Sequence, residues 1–255
     1  MQSFFLERLN AFLRYLDFPG SSPANVYLHG LGCASSSDFP RVVVNTALMS
    51  QRSILVDLLG FGYSDGPVNF SYTLEDHAKT IAQLMDHLSL TNCGIIGHSL
   101  GGSIGITLAS ARPDLVSRLV LAEGNLDPGG GIISTGIASQ SEEQFKSEGY
   151  RDLLKRALKE KAFTFCGTLQ VSAPHAVYRS AVSLVRGTKP TMRERLLALH
   201  IPRTYIFGEK SLPNPDADRL ATQGIQVLVV PNAGHLMMLD NPQGLAEVLK
   251  VALSG

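Results

Sequence analysis

The chemistry this chain could do begins at a serine set between two glycines, in the pentapeptide Gly97-His98-Ser99-Leu100-Gly101. An apolar run, Cys93–Ile96, precedes it, and a small-residue segment, Leu100–Ala111, follows. A serine at a sharp strand-to-helix corner is lifted clear of the sheet, and its neighbours two residues away must be small for the turn to pass adjacent strands. Gly97 and Gly101 meet that demand, and Gly102 adds clearance. The same corner aims the backbone N–H of Leu100 at the space in front of the hydroxyl, at a helix start where negative charge is favoured. The plainer reading is a glycine-rich turn with an N-capping serine; the strand before it and the helix after it favour a nucleophile.

A serine hydroxyl attacks a carbonyl only with a base beside it. Of seven histidines, His235 is placed to be that base. It stands in Pro231-Asn232-Ala233-Gly234-His235, just past the last apolar run, Gln226–Val230. His77 and His87 fall on the exposed-type side of one helix, His175 in a later helical stretch, and His200 before a proline turn. His98 lies inside the corner, where it supports the turn at the edge of a substrate site. The segment His29-Gly30-Leu31-Gly32 follows an early strand. Gly30 lets it pass close to a substrate, and the Leu31 N–H can join that of Leu100 in holding a developing oxyanion. Phe61 and Leu58 are expected in the pocket wall, Asp57 as a structural carboxylate behind the loop, and Met237 and Met238 as packing. Cys33, next to the oxyanion loop, is not read as a nucleophile.

His29-Gly30-Leu31-Gly32, the run DLLGFGYS from Asp57 to Ser64, the GHSLGG corner and the late Gly234-His235 occur in an order that resembles the α/β-hydrolase superfamily. The likeness covers nearly the whole chain outside one helical stretch. It implies a Ser–acid–His triad and does not imply a substrate, because the fold hosts many chemistries. One part departs from the pattern. Members most often carry an aspartate three residues beyond the glycine that ends the next-to-last strand, and here that position is Ser211, in Gly208-Glu209-Lys210-Ser211. Some members place the acid one strand earlier, where this chain has Glu123 at the tip of Leu119–Ala122. Glu123 is therefore the expected acid and Glu209 the alternative, with Asp127, Asp216 and Asp218 as lesser choices.

The elements that must position these residues alternate. Strand-like runs at Asn25–Leu28, Ser53–Val56, Cys93–Ile96, Arg118–Ala122, Thr204–Phe207 and Gln226–Val230 are separated by helix-capable segments. Among the latter, Thr73–Leu90 carries Leu74, Ile81, Leu84, Met85 and Leu88 on one face, with Thr73 as its cap. Buried runs separated by helices predict an α/β fold with a mostly parallel twisted sheet covered on both faces, whose ligands bind beyond the carboxyl ends of the strands. Between Asp127 and about Pro190 no strand pattern appears, and the stretch is too long for one crossover. The expected organisation is a core of residues 1–127 and 191–255 with a helical cap inserted at 128–190.

The whole chain narrows the function further. Apolar residues make up 44% and charged residues 17% of 255, which suits a well-buried globule and not a disordered chain. Lysine plus arginine equals aspartate plus glutamate at 22 each, so no global field recruits nucleic acid or an acidic surface. No apolar run approaches membrane-spanning length. Three dispersed cysteines, Cys33, Cys93 and Cys166, show no metal-ligand spacing and no disulfide framework. The first residues lack the apolar core and cleavage site of a secretion signal. These point to a cytoplasmic protein. The expectation is a serine esterase without metal or organic cofactor, acting on a small-molecule ester or related acyl substrate. Lactone, thioester or carbon–carbon bond hydrolysis and acyl transfer use the same residues. A ligand-binding protein with an idle triad is the reading from a different class, favoured by the serine at 211.

Overall fold

The computed structural model of the protein describes residues 1–254. Eight strands form one sheet: β1 (Gln2–Leu6), β2 (Ala11–Phe18), β3 (Ser21–Leu28), β4 (Gln51–Asp57), β5 (Cys93–His98), β6 (Val116–Ala122), β7 (Arg203–Gly208) and β8 (Gln226–Val230). Their order across the sheet is β1-β2-β4-β3-β5-β6-β7-β8. From β4 to β8 all neighbours are parallel, while β1 and β2 form an antiparallel hairpin on one edge. The six expected strands are all present. The hairpin was not expected: Ala11, Leu13 and Tyr15 alternate inward, and Asn10, at φ 48°, makes the left-handed turn that reverses the chain.

Alternation along the parallel strands splits the core into two layers. Val26, Leu28, Ile95, Leu119 and Leu121 face one side, against α1 (Leu74–His87) and α2 (Leu100–Ala111). Tyr27, Leu55, Ile96, Val120 and Ile206 face the other, against the C-terminal helix Pro242–Ser254 and the short helix Pro40–Val43. Helix α1 starts where Thr73 accepts the Asp76 N–H on its hydroxyl, a cap that contributes about 1 kcal/mol.

Between β6 and β7 the chain forms helices joined by turns and loops, with no strand among the described residues. It runs through α3 (Ile132–Ala138), short turns to Gly149, α4 (Tyr150–Lys159), α5 (Phe163–Gln170), α6 (Pro174–Arg186) and α7 (Met192–Ala198). This stretch sits on the loops at the carboxyl ends of the strands. The Thr168 hydroxyl of α5 donates to the Gly32 carbonyl, Ala173 N–H donates to the Gly60 carbonyl, and Arg179 of α6 donates to the carbonyls of Val68 and Phe70. No helix among the described residues is long and apolar enough to cross a membrane.

Candidate active site

Four adjacent parallel strands, β5 to β8, end at one rim. Register fixes how: His98 lies beside Ala122, Ala122 beside Ile206, and Gly208 beside Val230. Ser99 is the first residue after β5 and Glu123 the first after β6. Both hold left-handed backbone conformations that side chains rarely adopt, φ 51° for Ser99 and φ 46° for Glu123. Such positions cost on the order of 1–3 kcal/mol each and cluster where function over-determines the geometry. Glycine packing explains why the corner at Ser99 can form. A side-chain carbon on Gly97 would collide with the Gly101 carbonyl, and one on Gly101 with the Leu28 carbonyl.

His235 lies beyond β8, two strands away from Glu123, and its loop must cross the tip of β7 to reach that carboxylate. Gly208 makes the crossing possible, because a side-chain carbon there would stand 2.7 Å from the Ala233 carbonyl oxygen. With the loop in place, His235 Nδ1 is 2.7 Å from Glu123 Oε2. An ionised carboxylate only accepts, so Nδ1 carries the proton and Nε2 keeps its lone pair. The Gly208 N–H donates to the other oxygen, Oε1, at 2.9 Å. Burial alone would raise the Glu123 carboxyl, but hydrogen bonds from His235, the Gly208 N–H and the Ser211 hydroxyl outweigh it and hold the pKa below its ordinary value. Ser211, at the position where an aspartate was first sought, thus bonds the Glu123 carboxylate of the neighbouring strand. The environments differ: the Glu123 side chain is 13% exposed and that of His235 is 51% exposed.

The other carboxylates do different work. Glu209 accepts the Asn232 N–H and pins the His235 loop to β7. Asp127 and Asp216 both accept from the buried guanidinium of Arg193, and Asp218 stands in the first turn of the helix Pro215–Thr222. Asp57 accepts from the Ser36 N–H and hydroxyl and from the Tyr63 N–H, so it holds the glycine loop that follows it.

On the other side of Ser99 is the loop His29–Gly32. The Ser99 Cβ would lie 3.4 Å from a side-chain carbon placed on Gly30, so the loop runs directly beside the serine. His29 Nε2 accepts the Leu58 N–H, and its Nδ1–H donates to the Gly30 carbonyl, which braces the loop from behind. Among the described residues, no backbone carbonyl in a turn or loop takes the N–H of Leu31 or Leu100. No hydrogen bond joins the Ser99 hydroxyl to His235 in this state; such contacts commonly tighten only when substrate is bound.

His98, Phe61 and Leu58, expected at or beside the substrate site, are 1%, 0% and 0% exposed. Phe61 packs edge-on to His29, and His98 packs against His235. His77 was placed on the exposed side of its helix and is 0% exposed, because α6 covers that side and Ser180 meets its Nε2 at 3.3 Å. His87 is exposed and stacks on Phe4. Met237 and Met238 are core residues. The role of Ser211 is the one sequence reasoning missed. Its only signal was a hydroxyl standing where a carboxylate was expected.

Residues 26–169 match the alpha/beta hydrolase fold family. An esterase of Mycobacterium tuberculosis is 26% identical, covering 93% of this chain and 85% of the esterase. An sn-1-specific diacylglycerol lipase of Mus musculus is 28% identical over 92% of this chain and 82% of the lipase. Among solved structures, an esterase from Exiguobacterium antarcticum superposes with a TM-score of 0.81 at 21% identity, covering 99% of each chain.

Proposed function

The chain belongs to the alpha/beta hydrolase fold family, and on that premise we propose that it is a serine hydrolase cleaving small ester or related acyl bonds through an acyl-enzyme on Ser99. The observation that carries this reading is the 2.7 Å contact between His235 Nδ1 and Glu123 Oε2. It orients the imidazole, fixes the tautomer whose Nε2 can take a proton, and stabilises the cation that forms when it does. The similarity to an esterase and a lipase along most of the chain supports an ester as the substrate class.

The Ser99 oxygen attacks the substrate carbonyl as His235 Nε2 takes the hydroxyl proton. The carbonyl oxygen becomes an anion held by the N–H groups of Leu31 and Leu100, each such donor contributing about 3 kcal/mol to the transition state. His235 then gives its proton to the departing alcohol oxygen as the carbon–oxygen bond breaks. Water, deprotonated by the same nitrogen, attacks the acyl-enzyme, and the carboxylate product leaves with Ser99 reprotonated. The helical stretch 128–190 acts as a cap, since α5 and α6 rest on the loops around the serine. The testing experiment is turnover of a short-chain nitrophenyl ester by Glu123→Gln and Glu209→Gln. Loss in the first alone supports the reading; loss in the second alone reassigns the acid.

A further inference from the structure

The loop that carries His235 is tied down mostly on the side of β7. Lys210 N–H donates to the Ala233 carbonyl, Glu209 accepts the Asn232 N–H, and within the segment Asp240 accepts the Gly234 N–H. On the serine side, two hydrogen bonds among the described residues reach it: the Glu123 carboxylate meets the His235 ring, and His98 Nε2 lies 2.9 Å from the His235 carbonyl oxygen, a bond to the backbone between residues 137 apart in sequence. A carbonyl only accepts, so His98 carries its proton on Nε2. The rest of the ring is wedged. Its centroid lies 4.7 Å from that of the His235 ring, with the two planes tilted by 48°. Its Nδ1 is buried without a partner and stands 2.8 Å from where a side-chain carbon on Gly30 would be. The ring therefore spans all three walls around Ser99, namely the corner itself, the oxyanion loop and the base loop.

We propose that His98 is a positioning residue for the proposed ester hydrolysis, a role that rests on Ser99 and His235 being nucleophile and base. It holds the His235 backbone at a fixed height over the serine, so that the imidazole stays in reach when half of its surface is open to solvent. The ring is suited to this because it stays neutral. Burial first, and then the neighbouring His235 and His29, disfavour a proton on Nδ1. A neutral ring neither competes with His235 for the serine proton nor repels the imidazolium that forms. A displacement of about 1 Å between reacting groups costs roughly 100-fold in rate, and that is the effect expected when the tether is cut.

The tether sits at Nε2, so a glutamine amide can reach the same carbonyl and an asparagine amide is too short. His98→Gln is expected to retain at least about a tenth of wild-type kcat, while His98→Asn and His98→Leu lose about 100-fold in kcat with KM unchanged. Each variant is checked for folding by thermal unfolding, and the Gln and Asn pair, alike in polarity, keeps the comparison meaningful if leucine prevents folding. Equal kcat in the Gln and Asn variants, or a loss expressed in KM, would overturn the proposal. Fluorophosphonate labelling of wild type separates its failure from that of the enzyme reading: an unlabelled, folded wild type rejects the hydrolase mechanism itself.

Discussion

His235 and His77 occupy two regions of this molecule that treat the same side chain in opposite ways. At the rim of the sheet His235 is half exposed and faces a carboxylate that three donors hold ionised. At the seam between α1 and α6, His77 is sealed among Phe61, Phe70 and Tyr72 and faces only the Ser180 hydroxyl. Burial, helped by the nearby His29 and only partly opposed by Asp76, drives the His77 pKa down to about 3, so the ring is neutral wherever the protein is folded and near neutrality. The contrast separates what makes a base from what makes a packing residue. A base needs a charge partner and room for the cation it becomes; a seam needs a polar ring that never changes charge.

The largest effects break the rim. Ser99→Ala and His235→Ala are each expected to lower kcat for a nitrophenyl ester by on the order of 10⁵–10⁶-fold, and the double variant by hardly more, because the two act as a unit. Glu123→Gln is expected to cost about 10⁴-fold by removing the charge that fixes the tautomer, and Glu209→Gln no more than about threefold, as it only pins a loop. Steady-state kinetics on the five variants check this order.

The seam is tested by stability. The folded pKa of His77 lies below the unfolded value of 6.5, so the unfolded chain binds the extra proton first. Stability is therefore intact above pH 6.5 and falls as pH drops from there towards about 3, by roughly 1.4 kcal/mol per pH unit for one such group. His77→Gln should flatten the curve of unfolding free energy against pH by that one proton, with ester turnover at pH 8 little changed. Urea unfolding of both proteins across pH 4–8 measures it, and parallel curves would remove His77 from the account. A smaller effect sharpens the rim again: Ser211→Ala, which removes one of three donors to Glu123, should lower kcat by about three- to tenfold, the size of one ordinary hydrogen bond's net contribution.

Much of the rim was legible in the sequence because its constraints are local. The corner needs small residues two positions from Ser99, and Gly97 and Gly101 sit where any larger side chain would strike a carbonyl. That Glu123 meets His235 could be anticipated because strand tips are readable from apolar runs, and the strand-end rule brings the ends of β5, β6 and β8 to one side. What was not legible depends on partners distant in the chain. Helical periodicity in Thr73–Leu90 marks the face turned to the sheet; it does not see α6 arriving on the other face to bury His77. The direction of the His98 ring is fixed by a carbonyl 137 residues away, and no local pattern encodes it. The β1–β2 hairpin was missed because its inward positions, Ala11, Leu13 and Tyr15, alternate with Phe12 and Arg14, and the turn signal is the single residue Asn10.

The claim on which the account rests is that Glu123, acting through His235, makes Ser99 a nucleophile. Intact-mass spectrometry after exposure to a fluorophosphonate measures that directly. The account predicts one adduct on Ser99 of the wild type, formed at least about a hundredfold more slowly in Glu123→Gln and absent in Ser99→Ala. A folded wild type that takes no adduct, or a Glu123→Gln variant labelled as fast as the wild type, would contradict it.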